Sequence, residues 1–293
     1  MPPTSTTLFK VRHYECDAFG HLNNANYLRF MEEAAFDASA AVGYDRARYL
    51  ALGRLWLARE TEIEYLRPAR YGDTLAVHTW VEDFRRVRSR RRYEFRLTPT
   101  DELITQAVTD WVYMDAATQR PVAVPPEMVA AFAGDGPAVQ AAPRSPFPDP
   151  PPPPPGAFTL RRRVEWRDID SAWHVNNAAY LAYIEDCGIQ VASAFGWPLA
   201  RWEAEGFAIV ARRHHIVYLE PAALDDELTV TTYVVDVRRT SATRYFAIRL
   251  ARSGALLAQA RTLWAWLDPH TGHPIRIPAQ FAADFTPNIA SGG

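Results

Sequence analysis

The feature that most constrains this chain is that it contains itself twice. His21-Leu22-Asn23-Asn24-Ala25 returns as His174-Val175-Asn176-Asn177-Ala178, 153 positions later. The same offset carries Asp17 onto Asp170, Tyr27 onto Tyr180, Glu32 onto Glu185 and Trp111 onto Trp264. It also carries Tyr65-Leu66-Arg67-Pro68-Ala69 onto Tyr218-Leu219-Glu220-Pro221-Ala222. No gap is needed from Val11 to Phe132. A repeat of this length is a whole domain duplicated, not a short structural unit stacked in an array. The 293 residues therefore divide into two domains, expected at 1–133 and 158–286, each long enough to bury a core.

Between the copies lies a segment, 134–157, rich in Ala and Pro, with Pro150 to Pro155 unbroken. Such a run adopts polyproline II and is expected to be a semi-rigid surface strap that cannot join a core. Within each copy the hydrophobic period changes from helical to alternating. In the first copy a strand is expected over 9–15, a polar turn at 17–24, and a helix over 27–42 that stops at Gly43. A short helical piece at 46–52 and strands near 55–66, 73–84, 88–98 and 103–113 follow, with a hairpin turn at 98–102. The second copy repeats this, with its long helix over 180–195. One long helix followed by antiparallel strands is an α+β pattern.

Composition excludes several classes. A net charge of −2 provides no general attraction for nucleic acid or an anionic membrane. No run approaches 18 apolar residues, and residues 1–10 lack the apolar stretch of a signal peptide. The two cysteines, Cys16 and Cys187, are far apart and support neither a disulfide framework nor a zinc site, so a reducing cytoplasm is expected. No metal or other cofactor is called for.

The stretch from Asp17 to Tyr27, Asp-Ala-Phe-Gly-His-Leu-Asn-Asn-Ala-Asn-Tyr, resembles the D-x-x-G-H-x-N-N-x-x-Y signature of hotdog-fold acyl-CoA thioesterases of the 4-hydroxybenzoyl-CoA thioesterase type. Ile63-Glu64-Tyr65-Leu66-Arg67-Pro68-Ala69 with Gly72-Asp73 resembles that family's second motif. The resemblance implies a tandem double hotdog, each copy a long helix wrapped by an antiparallel sheet. It further implies that the two copies pair as a pseudo-dimer within the chain. Association of two such chains into a homodimer is compatible with it. The activity implied is hydrolysis of an acyl thioester, with acyl-CoA or an acyl-carrier protein as substrate. The competing readings are a hotdog lyase, dehydratase or cyclase, and a non-catalytic module that holds an acyl chain.

Thioester hydrolysis needs a base or nucleophile at the carbonyl carbon and donors for the oxyanion. Asp17, in the turn before the helix, can serve as the first, or can cap the turn. Asn24, at the helix start, presents a backbone N–H at the positive end of the helix dipole, a suitable oxyanion donor. The resemblance implies the same two roles, and the repeat extends them to Asp170 and Asn177. His21 and His174 are candidates for acid–base or orienting work, or tie the turn to the sheet. Gly20, Tyr27, Trp173 and Tyr180 are candidates for contact with substrate, although both tyrosines also suit packing. Gly20 permits close approach of a ligand to the backbone, whereas Trp173 in its place is expected to crowd the second site, making the first copy the better catalyst. A basic run, Arg85-Arg86-Val87-Arg88-Ser89-Arg90-Arg91-Arg92, is either a solvated face or a dock for CoA phosphates or an acidic carrier, with Arg86 and Arg88 as binding candidates.

Overall fold

The structure, a computed structural model, describes residues 4–133, 144 and 146–290. The chain forms two compact units, Met1–Ser145 and Pro146–Gly293. The first contains β1 (Ser5–Lys10), α1 (Asn24–Ala41), α2 (Arg46–Leu52), β2 (Arg54–Tyr65), β3 (Thr74–Arg85), β4 (Arg88–Leu97), β5 (Glu102–Asp115) and α3 (Pro126–Ala133). The second contains β6 (Phe158–Arg163), α4 (Asn177–Ala194), α5 (Leu199–Ala204), β7 (Ala208–Tyr218), β8 (Glu227–Val237), β9 (Ser241–Leu250), β10 (Leu256–Leu267) and α6 (Ala279–Asp284).

The strands of the first unit pair antiparallel in the order β1-β3-β4-β5-β2. Alternate residues along them, among them Ile63, Leu75, Val77, Tyr93 and Phe95, are buried on one face. Helix α1 lies against β1 and β3 and buries Tyr27, Leu28, Met31, Ala34 and Ala38, the spacing of a single helical face. Phe30 stacks on Phe9 of β1 with ring centroids 4.5 Å apart. Each fully buried aliphatic side chain here contributes about 2 kcal/mol. The second unit repeats the plan with the order β6-β8-β9-β10-β7 and with α4 against β6 and β8. The expected α+β plan, a long helix laid on an antiparallel sheet in each copy, is what is found.

The boundaries shift where local hydrogen bonding outweighs periodicity. Strand β1 ends at Lys10 because Val11 N–H turns to Asp73 O (2.8 Å). The chain then forms a short 3-10 turn, His13–Glu15, whose carboxylate accepts from Arg12 N–H (2.8 Å). Helix α1 begins three residues before the expected start because the Asn23 side chain caps it, accepting from Ala25 N–H at 3.0 Å. Two short helices, α3 and α6, were not visible in the period. Their aromatic residues close the ends of the cores: Phe132 packs with Tyr44 and Tyr49, and Phe281 with Trp197 and Phe207.

Residues 134–143 and 145 of the Pro-rich strap lie outside the described residues. The part from Pro146 onward is held to the second unit more firmly than a surface strap requires. Pro154 is buried, and Phe147 and Ala157 pack with Tyr233, Tyr245 and Ala290. Tyr233 Oη donates to Pro151 O at 2.6 Å. Polyproline II leaves its carbonyls without partners in the chain, so one is available to a tyrosine.

Between β2 and β5, and between β7 and β10, the two units bury different polar pairs at equivalent places. In the first, Thr61 and Thr109 share a hydroxyl hydrogen bond of 3.1 Å. In the second, His214 Nδ1 and Thr262 Oγ1 are 2.9 Å apart. Burial pushes the His214 imidazole from the usual 6.5 down to about 3. The unfolded chain takes up a proton below about pH 6.5 and the folded chain does not, so this histidine costs stability as pH falls through that window. The His214→Thr variant, which recreates the pair of the first unit, should lose less stability between about pH 7.5 and about pH 5. The expected difference is about 2 kcal/mol. Urea unfolding of both proteins at the two pH values measures it, and equal pH dependence would refute the assignment.

Candidate active site

Each unit builds the same turn before its long helix, almost entirely from backbone. Asp17 N–H donates to His21 O (2.8 Å) and Gly20 N–H to Asp17 O (3.0 Å). Asp170 N–H donates to His174 O (2.9 Å) and Trp173 N–H to Asp170 O (3.0 Å). The Asp17 carboxylate reinforces this, Oδ1 accepting from Phe19 N–H (2.9 Å) and His21 N–H (3.0 Å). Asp170 Oδ1 accepts from Ala172 N–H at 2.8 Å. Capping and chemistry thus do not compete for the same atom. One oxygen fixes the turn, and among the described residues Oδ2 of Asp17 accepts no hydrogen bond. Both aspartates are half-buried.

Asn24 and Asn177 are the first residues of α1 and α4, each preceded by the asparagine whose side chain caps the helix. The first-turn amides lie at the positive end of the helix, outside its own i to i−4 bonding pattern. The capping asparagine is therefore Asn23 or Asn176, and the asparagine that follows it opens the first helical turn.

His21 is half-buried in a bridge to Arg70. Its pKa is lowered, chiefly by burial and further by Arg70, against the opposing pull of Asp17. The ring is thus neutral at physiological pH. His174 Nδ1 is buried and has no hydrogen-bond partner among the described residues. A buried ring nitrogen without a partner is an unmet demand that a bound molecule can satisfy.

Tyr27 and Tyr180, candidates for contact with substrate, are buried and bind backbone through their hydroxyls. Tyr27 is 2% exposed, and its hydroxyl accepts from Ala69 N–H at 3.3 Å. Tyr180 accepts likewise from Ala222 N–H at 3.0 Å. Burial raises both phenols to about 12. Their role is to clamp the helix to the second motif. Cys187, on α4, is buried, donates to Val230 O (3.5 Å) and is pushed up to about 12, so the thiol is protonated and inert.

The exchange of Gly20 for Trp173 acts on the backbone. Gly20 has φ +72° and Trp173 φ +65°, both in the left-handed region. Trp173 does not crowd Asp170. It is 68% exposed and meets Trp166 edge-on at 6.0 Å. Its ring lies mostly in solvent rather than filling the space beside Asp170. The units anchor this turn differently. Asn26 Nδ2 donates to Glu15 O (2.8 Å) in the first, whereas Tyr183 Oη donates to the Asp168 carboxylate (2.8 Å) in the second.

The basic run is largely neutralised within its own sheet. Arg90 faces Glu82 (3.4 Å) and Asp110 (3.7 Å), and Arg92 also pairs with Glu82. Arg91 turns inward and is buried. Arg86 lies in the β3–β4 turn rather than on the strand face with Arg88. Arg86 and Arg88 remain exposed, with no ion pair among the described residues.

A capped helix behind an aspartate turn, laid on an antiparallel sheet and present twice, defines a tandem hotdog protein. The chain belongs to the thioesterase-like superfamily, whose model matches residues 11–132 and again 164–285. It is 30% identical over 124 residues to the acyl-CoA thioester hydrolase YbgC of Escherichia coli O157:H7, covering 42% of this chain and 91% of that one. It is 25% identical over 191 residues to the chloroplastic acyl-[acyl-carrier-protein] hydrolase FATB2 of Cuphea viscosissima. That match covers 60% of this chain but only 45% of the plant protein, less than half its length. Among solved structures, a putative oleoyl thioesterase from Lactobacillus plantarum superposes with a TM-score of 0.77 at 19% identity, covering 90% of this chain and 96% of that one, a likeness of fold.

Replacing Trp173 by glycine should therefore relieve the left-handed strain and leave the second site open as before. The expected effects are a gain in stability of up to about 1 kcal/mol and no rise in turnover. Thermal melting and thiol release of Trp173→Gly measure both, and a marked gain in activity would restore the crowding interpretation.

Proposed function

We propose that the chain hydrolyses an acyl thioester, carried by coenzyme A or an acyl-carrier protein, to the free acid and thiol. The observation that carries this reading is the aspartate whose one oxygen is held by the turn while the other accepts no hydrogen bond, set before a helix N-terminus in a member of the thioesterase-like superfamily. Asp17 acts as base or nucleophile. As base it takes a proton from water, whose oxygen bonds to the thioester carbon. The carbonyl electrons move onto oxygen, where the first-turn amide at Asn24 stabilises them. Collapse restores C=O, breaks the C–S bond and returns the proton to the leaving thiolate. Asp170 and Asn177 repeat these roles, and His21, as a neutral ring, and His174 orient the reacting groups.

Both units are expected to turn over, since the same turn is built in each and Trp173 leaves it open. Asp17→Asn and Asp170→Asn should each remove part of the thiol release from acyl-CoAs of graded length. The double variant should fall by roughly 100-fold or more with folding intact. Wild-type turnover in the double variant would refute the mechanism, and loss confined to one single variant would assign the activity to one half. Release of free thiol also separates hydrolysis from lyase or dehydratase chemistry and from passive acyl binding.

Arg86 and Arg88 are the arginines of the run left to meet phosphates, as bidentate donors. Arg86→Glu with Arg88→Glu should raise KM for acyl-CoA by about ten-fold with kcat unchanged. The effect should shrink as salt is added and be absent with a thioester lacking phosphates. An equal loss on the phosphate-free thioester would refute docking. The free cysteines, Cys16 and Cys187, fit a reducing cytoplasm as the place of action. Among the described residues no helix is long and apolar enough to cross a membrane.

A further inference from the structure

The second unit contains a cavity of about 70 Å³ between α4, its sheet and α6. Its walls are apolar, from residues such as Ile189, Val234 and Phe281, with one charged side chain, Arg244. Arg244 is buried on β9, its guanidinium donating to Thr232 Oγ1 (3.3 Å) and lying 5.3 Å from the centre of the Phe285 ring. A guanidinium carries five N–H donors, and among the described residues no carboxylate pairs with this one. The neighbouring Cys187 thiol, pushed up to about 12, supplies no negative charge.

A second observation has the same sign. The indole N–H groups of Trp264 and Trp266, which also line the cavity, are buried and have no acceptor among the described residues. Among the residues that line the cavity, the unmet polar atoms are all donors. A buried cation without a counter-charge is costly, and water or alcohol repays that cost less well than an anion does.

We propose that this cavity binds an apolar chain ended by a carboxylate, with Arg244 as its counter-ion and the Trp264 and Trp266 N–H groups as further donors. The chain lies against the aliphatic and aromatic walls. The shared chemistry can come from a free fatty-acid-like anion or from the far carboxylate of an ω-carboxyacyl thioester. Binding does not depend on turnover at Asp17 or Asp170. Arg91 holds the equivalent place in the first unit, donating to Thr79 Oγ1 (3.4 Å) near Phe132. There Tyr113 replaces Trp266, so the pair of indole donors belongs to the second unit alone.

The test uses the full chain and its tryptophan fluorescence. Wild-type protein is titrated with decanoate, 1-decanol, decanoyl-CoA and the CoA thioester of decanedioate, and the titrations are repeated with Arg244→Met and Arg244→Lys. Decanoate binding at least about ten-fold tighter than decanol, lost in Arg244→Met and largely kept in Arg244→Lys, supports the free acid as ligand. Preference for the decanedioate thioester over decanoyl-CoA, without decanoate binding but with the same loss in Arg244→Met, supports the ω-carboxyacyl source. The wild-type series decides the matter even if a variant does not fold. Equal affinity for decanoate and decanol, together with equal affinity for the two thioesters, overturns the proposal. Thiol release from decanoyl-CoA, measured alongside, shows whether hydrolysis stands independently of that outcome.

Discussion

The backbone of one small residue in each unit holds the site together. Ala69 is fully buried. Its N–H donates to the Tyr27 hydroxyl and its carbonyl accepts from Leu22 N–H at 2.8 Å. Ala222 does the same with Tyr180 and with Val175 N–H, the latter at 2.9 Å. A buried peptide group must be satisfied at both ends, and here both partners come from the aspartate turn and the helix that follows it. Tyr65 and Tyr218 add hydroxyl bonds to the Asn24 and Asn177 carbonyls, at 3.5 and 3.2 Å. The loop after the first long strand and the turn before the helix are therefore one structure. That is the physical reason the Asp-to-Tyr motif and the Tyr-Leu-x-Pro-Ala motif occur together in each copy.

Because backbone atoms carry this joint, side chains around it have diverged with little effect on its geometry. The left-handed residue is glycine in one unit and tryptophan in the other, with φ differing by only a few degrees. Phe30 is replaced by Tyr183, whose hydroxyl takes over anchoring from the Asn26 side chain. Thr61 is replaced by His214, which keeps the hydrogen bond to the facing threonine while giving up its charge. The two halves are alike in what they position and different in what surrounds it.

Charge follows a similar economy. Six arginines within eight residues look in the sequence like a patch offered to an anion. Folding sets Glu82, Asp83 and Asp110 among them, and Arg144, contributed by the linker, binds both Asp83 and Asp110 at 2.8 Å. Burial raises the Asp110 carboxyl while Arg144 and Arg90 hold it down. What remains exposed at the turn is a small fraction of the apparent charge. The buried Arg91 and Arg244, by contrast, keep no acidic partner among the described residues and face the interiors instead.

The sequence alone determined the duplication, the α+β plan of each copy and the aspartate turn. All of these rest on local spacing or on the constant offset, and local hydrogen bonds follow from the order of residues. It could not determine that the motif tyrosines bind the backbone of the second motif, because a tyrosine at a helical position has the same pattern in either role. Nor could it show that Trp173 adopts a left-handed backbone and lies mostly in solvent, since both are properties of the folded turn. The neutralised arginines, the Pro151 carbonyl bound by Tyr233, and the donor-lined cavity at Arg244 all join residues distant in the chain. Only the packing of helix on sheet decided which of those groups met a partner and which were left buried without one.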